Sequence, residues 1–124
     1  MPIDLSVSIT ATSAGQTIQS NTSPQAGAIE WLVFDLAPAS TDTPVLVQPG
    51  PANQMLVLAL QADPGDDSIS YKPAIGGPAL TLNGAHLYNG PHMVALLGAN
   101  PTTLYFSNSS ANPVSIKILV GRNP

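Results

Sequence analysis

Proline and glycine punctuate this chain along its whole length, 13 and 10 of them in 124 residues. Proline removes a backbone donor and fixes φ, and glycine adds backbone entropy, so the segments between them are too short for helices of ordinary length. What survives between the breaks is β-branched and apolar sequence with a period of two. Residues 5–11 alternate strictly, with Leu5, Val7, Ile9 and Ala11 against Ser6, Ser8 and Thr10. Such alternation is the signature of a half-buried strand. Residues 114–120 repeat the pattern with Val114, Ile116, Ile118 and Val120.

Other segments fill the interval. A short polar strand is expected around Thr17, Ile18 and Gln19. Residues 28–36 place Trp31, Val33 and, at the end, Asp35 on one face and Leu32, Phe34 and Leu36 on the other. That segment reads as a strand buried on both faces, with a short helix as the alternative. Residues 45–47 form a short strand bounded by Pro44 and Pro49. The run Met55, Leu56, Val57, Leu58, Ala59, Leu60 is the strongest core-strand candidate. Residues 63–67 are a turn by composition. A strand restarts at residues 69–71, and residues 80–82 meet Asn83-Gly84, a strong hairpin signal answered by His86, Leu87 and Tyr88. Asn89-Gly90-Pro91 turns into a further strand at residues 93–97. Residues 102–107 form another, and residues 108–112 a polar turn. The longest loops are expected at residues 37–44 and 98–101. The sum is one all-β domain over residues 1–124, an antiparallel sandwich or jelly roll of about 8–10 short strands. The crossover helices of a parallel α/β fold are missing.

Charge narrows the function. Only 8% of residues are Asp, Glu, Lys or Arg, and the cations are Lys72, Lys117 and Arg122. Ordinary soluble domains carry about 25%. Binding to nucleic acid or to an anionic membrane surface needs clustered Lys and Arg, so neither is expected. With no cysteine, disulfides, zinc-thiolate sites and cysteine nucleophiles are excluded, and folding in a reducing cytosol is favoured. No signal peptide is read at the N-terminus, and no apolar run approaches the ~20 residues of a membrane helix. A surface poor in Lys, Glu and Asp is what subunit interfaces look like, so much of this one is expected to be buried against other chains.

No catalytic, cofactor-binding or metal-binding set emerges, and the chain is not expected to be an enzyme. His86 and His92 flank a turn, but two ligands do not make a metal site. Asp63, Asp66 and Asp67 do not have EF-hand spacing and read as a solvated turn. There is no G-x-S-x-G elbow, Glu30 is the sole glutamate, and Gly76-Gly77-Pro78 lacks the lysine of a phosphate loop. Asn21 and Asn108 match the glycosylation pattern and read as polar turns. Of the six aromatic residues, Trp31 is expected in the core.

The second half resembles bacteriophage capsid decoration (cement) proteins and related small virion jelly rolls. The residues that carry this are Leu80-Thr81-Leu82-Asn83-Gly84, Gly90-Pro91-His92-Met93-Val94-Ala95-Leu96-Leu97, Thr103-Leu104-Tyr105-Phe106-Ser107-Asn108, and the closing run from Pro113 to Gly121. The resemblance implies a homotrimer on capsid symmetry axes that clamps neighbouring major capsid protein subunits, made in the host cytoplasm and located in the virion. It carries over no functional residue. An N-terminal segment or edge strand could reach a neighbour by strand addition. Two other readings compete. One is a carbohydrate- or receptor-binding module of a phage tail or secreted protein, using Tyr71 or Tyr88. The other is a small cupin-like enzyme with a metal at His86 and His92.

Overall fold

A computed structural model describes residues 3–23, 25–47, 55–63, 67–97 and 103–122. Twelve strands lie among them: β1 (Ile3–Asp4), β2 (Val7–Ser13), β3 (Gln16–Thr22), β4 (Gln25–Ala26), β5 (Ala28–Leu36), β6 (Ser40–Leu46), β7 (Met55–Asp63), β8 (Ile69–Lys72), β9 (Leu80–Thr81), β10 (Ala85–Asn89), β11 (Thr103–Asn108) and β12 (Val114–Arg122). One sheet has the order β10-β7-β12-β5 and the second the order β6-β11-β8-β9. A separate hairpin, β2-β3, and a short pair, β1-β4, complete the pairing, which is antiparallel throughout. The two four-stranded sheets pack as a sandwich, so the chain is all-β as its alternation implies.

The main core is made by alternate residues. Strand β12 sends Val114, Ile116, Ile118 and Val120 inward, β7 sends Leu58, Leu60 and Ala62, and β11 sends Leu104 and Phe106. Ile69 and Tyr71 of β8 close the layer from the other sheet. Strand β7 is apolar on both faces over residues 55–60, and its outer face is covered at one end. Its outer residue Val57 joins a second, smaller core with Leu5, Val7 and Ala26 from the N-terminal segment. That segment lies close over β12: a Cβ added at Gly121 would sit 2.5 Å from Leu5 Cδ1. Glycine there leaves room for the leucine.

Four local expectations need correction. The Asn83-Gly84 dipeptide does not close a hairpin. β9 pairs with β8 in one sheet and β10 pairs with β7 in the other, with Leu82 N–H donating to Ile69 O and Ala62 N–H to Gly84 O, each at 2.9 Å. The dipeptide crosses between sheets. Its glycine supplies a φ of 93°, which such a crossing uses as readily as a hairpin turn does. A two-residue hairpin turn is made instead at Ala14-Gly15, with φ 53° and 80°.

Residues 93–97 are not a strand. Pro91–Val94 is a single helical turn and Ala95–Leu97 a 3-10 turn. Pro91 sits at the start of the helix, where its missing N–H costs nothing, after Gly90 at φ 97°. The turn buries Val94 and Leu97 in the main core. Residues 40–46, expected as a loop through Pro44, are β6. This is an edge strand, the one place in a sheet where a proline's missing donor is tolerated. Finally, β5 is apolar on both faces but buried only on one, as described below. The expected loop at 98–101 lies outside the described residues.

Candidate functional site

The surface with the strongest unmet chemistry is the outer face of the β10-β7-β12-β5 sheet, together with the hairpin rising beside it. Register places Trp31, Leu119, Ala59 and Leu87 in one row across the four strands. The next row is Val33, Lys117, Gln61 and Ala85. The N-terminal segment covers only part of this face. Its Leu5, Val7 and Ala26 lie with Val57, and Ile29, Leu87 and Leu119 pack against them. Beyond that cover Trp31 is 61% exposed and Val33 63%. Trp31 is therefore not a core residue. Leu32, Phe34 and Leu36 take the inner face of β5, and the alternation of a strand turns Trp31 outward. Trp31, Ala59, Ala85, Lys117 and Leu119 line a shallow, mainly apolar hollow.

The β2-β3 hairpin projects from the sandwich. Strand β3 is exposed along its whole length and β2 everywhere after Val7, and the two strands pack chiefly on each other. One face is wholly polar. There Ser8 Oγ donates to Asn21 Oδ1 at 2.9 Å, and the Thr12 and Thr17 hydroxyls lie 3.2 Å apart. The opposite face carries Ile9, Ala11 and Ile18, with Ile18 opposite Ala11 and 76% exposed. Residues 5–29, which include the whole hairpin, have no ionisable side chain. A glycosylation-type Asn21 lies on this hairpin and is bonded to Ser8.

The residues weighed for chemistry are scattered. His86 is on β10 and His92 in the helical turn, and among the described residues no group of three His, Asp or Glu is placed to hold a metal. Asp63 and Asp67 are exposed, and Asp67 Oδ1 accepts from Asn83 Nδ2 at 3.1 Å. Asp66 lies outside the described residues. Gly77 N–H donates to Ala74 O at 3.0 Å, closing a simple turn. Two of the three cations are paired: Lys72 Nζ with Asp42 at 3.0 Å and Arg122 with Glu30 at 3.5 Å.

Tyr71 and Tyr88 are not sugar platforms, because both are buried. With His86 they form a buried polar cluster that the sequence does not reveal. The Tyr71 hydroxyl, from β8, lies 2.6 Å from both the Tyr88 hydroxyl and His86 Nδ1 on β10. Since β8 and β10 belong to different sheets, the cluster ties the two layers together. Burial, then the Tyr88 hydroxyl, push the Tyr71 phenol well above its ordinary value of 10.0. The folded state therefore holds Tyr71 protonated where the unfolded chain would ionise it. The stability this gives is complete below pH 10 and is lost as the pH climbs beyond it. Denaturation midpoints measured from pH 8 to 11.5 should fall above pH 10, and fall less in Tyr71→Phe. Equal slopes would show that Tyr71 is not the responsible group.

The sequence reads Asn108 as part of a polar turn. It is fully buried at the end of β11, so its glycosylation-type pattern marks a structural pin. No family model, curated protein or solved structure matches this chain.

Proposed function

We propose that this chain is a structural protein of a virus particle: a capsid decoration protein whose copies associate as a homotrimer and bridge subunits of the major capsid protein. The observation that carries the reading is the projecting, charge-free hairpin beside an exposed apolar sheet face. The hairpin can be buried in an assembly without stripping water from an ion, which is the costly part of covering a protein surface, and on the sheet face the row Trp31, Leu119, Ala59 and Leu87 can be too, with Lys117 and Asp35 beside it. The sparse charge of the whole chain supports the same reading, and the resemblance of residues 80–84, 90–97, 103–108 and 113–121 to decoration proteins is the reason for proposing a capsid. The work done is bridging. Modest apolar contacts, each stabilising by about 25 cal/mol per Å² buried, are repeated by symmetry over the particle.

The test is fractionation of particles from the cells that make this protein. The chain should sediment with density-purified particles in many copies each, and particles stripped of it should keep their shape but rupture at lower temperature. Its absence from every particle fraction would overturn the reading. The rival glycan-binding reading is favoured by one observation, the exposed indole of Trp31 beside Gln61 and Lys117. It requires glycan-array binding that Trp31→Ala removes.

A further inference from the structure

We propose that the β2-β3 hairpin is an exchanged arm, docking by its Ile9, Ala11 and Ile18 face onto the Trp31, Val33 and Leu119 face of a second copy of this chain. The inference rests on the assembly reading above and names the two surfaces through which copies meet.

Three observations fix the occupant. The first is continuity. Within one chain the foot of the arm, Leu5 and Val7, already lies on the outer face of the β10-β7-β12-β5 sheet, with Leu119 and Leu87 packed against that small core. Leu119 pairs in register with Trp31, so an incoming arm would extend a layer that the chain itself begins. The second is charge. Nothing ionisable lies anywhere on residues 5–29, and the row Trp31, Leu119, Ala59, Leu87 is also free of charge. Lys117, beside Val33, and Asp35, beyond it on β5, are the charges next to that row, so the arm meets the receiving face along its uncharged row. The third is stoichiometry. Every copy carries one exposed apolar arm and one partly uncovered apolar face, and an arm-to-face contact is heterologous, so the three-fold rotation of the proposed trimer would close successive copies into a ring in which both are covered.

Size sets the strength. Seven residues per strand make an arm about 24 Å long, and two strands are about 10 Å wide, so one contact masks roughly 240 Å² of sheet. Lending one arm and receiving another doubles this per copy. Each contact by itself stays well below the ~800 Å² per partner of a standard interface, so the ring should form and dissociate with concentration.

Trp31 is the only tryptophan in the chain, and it lies on the receiving face, so its emission reports docking directly. Light scattering and tryptophan emission are measured together across a dilution series. The wild-type molar mass should rise with concentration to a closed oligomer, and the emission should move to the blue in step. Ile18→Asp, a change at an exposed position, should raise the assembly midpoint on the order of tenfold or more and abolish the blue shift. Mixing is the decisive measurement. Ile18→Asp keeps an intact face and the tryptophan, whereas Trp31→Asp keeps an intact arm and has no tryptophan. Neither should assemble alone, but together they should form a one-to-one complex with blue-shifted emission. A silent mixture overturns the arm proposal. So does an Ile18→Asp chain that assembles like wild type, although that result leaves the assembly reading standing. A wild type that stays monomeric at every concentration also overturns the arm, and the particle fractionation then decides the assembly reading by itself.

Discussion

Replacing Phe106 with alanine should lower the stability of the folded chain by about 3–5 kcal/mol, the usual cost of emptying an aromatic site in a close-packed core. The ring is fully buried on β11. It meets Phe34 edge-on, with centroids 5.7 Å apart, and lies tilted against Tyr71 at 5.8 Å. Phe34 belongs to one sheet and Tyr71 to the same sheet as Phe106, so this ring fills the space between the layers where three aromatic side chains converge. Neighbours fixed in two hydrogen-bonded sheets cannot collapse into the cavity, which puts the cost at the upper end of the range. Trp31→Ala removes a larger side chain but should change the stability of the isolated chain by less than about 0.5 kcal/mol, because the indole is already in water. Urea denaturation of the two variants separates core from surface. Equal losses would mean that Trp31 is buried.

Asn108→Ala should cost about 2–3 kcal/mol, more than its small volume suggests. Its Nδ2 donates to Asn112 O at 2.8 Å and to Leu36 O at 3.4 Å. Its Oδ1 accepts from Ser110 N–H at 2.9 Å and from Ser110 Oγ at 2.7 Å. One side chain thus holds the turn from β11 to β12 and anchors it to the end of β5. Alanine removes all four of these bonds from a buried position, and loss of a buried partner costs about 1–3 kcal/mol. Urea midpoints would decide, and a loss under about 1 kcal/mol would show that water replaces the amide.

Strand positions were largely legible in the sequence, and strand partners were not. The alternation of residues 114–120 and 28–36 shows which side chains share a face, because a strand's period is fixed by its backbone. It does not show which face is covered. Trp31 looked like a core residue because β5 is apolar on both sides, and only the reach of Leu5, Val7 and Ala26 determines how much of the outer face is shielded. Turn chemistry misled for a related reason. Gly84 reports a positive φ, which a crossing between sheets and a hairpin both need. The real hairpin turn hides behind Ala14, a residue that rarely takes φ 53°. The Tyr71, Tyr88 and His86 cluster and the Asn108 pin join residues far apart in the chain or buried by distant segments, and no local pattern encodes them.

The arrangement of the β10-β7-β12-β5 sheet also dictates when it can be built. Strand β12 lies at its middle, yet it is made after both of its partners. Its pairing with β5 joins Val114 to Leu36 and Arg122 to Ala28, separations of 78 and 94 residues. Such distant pairings slow folding, since a long loop must close before any contact repays it. While the chain is being synthesised, β5 therefore waits with an apolar edge and no neighbour, whereas the β2-β3 hairpin, with its two-residue turn, can close at once. A nascent chain of this design exposes its finished hairpin and its unpaired β5 before its core exists. Its yield in the cell should depend on how quickly residues 114–122 leave the ribosome and on what keeps neighbouring chains apart until then.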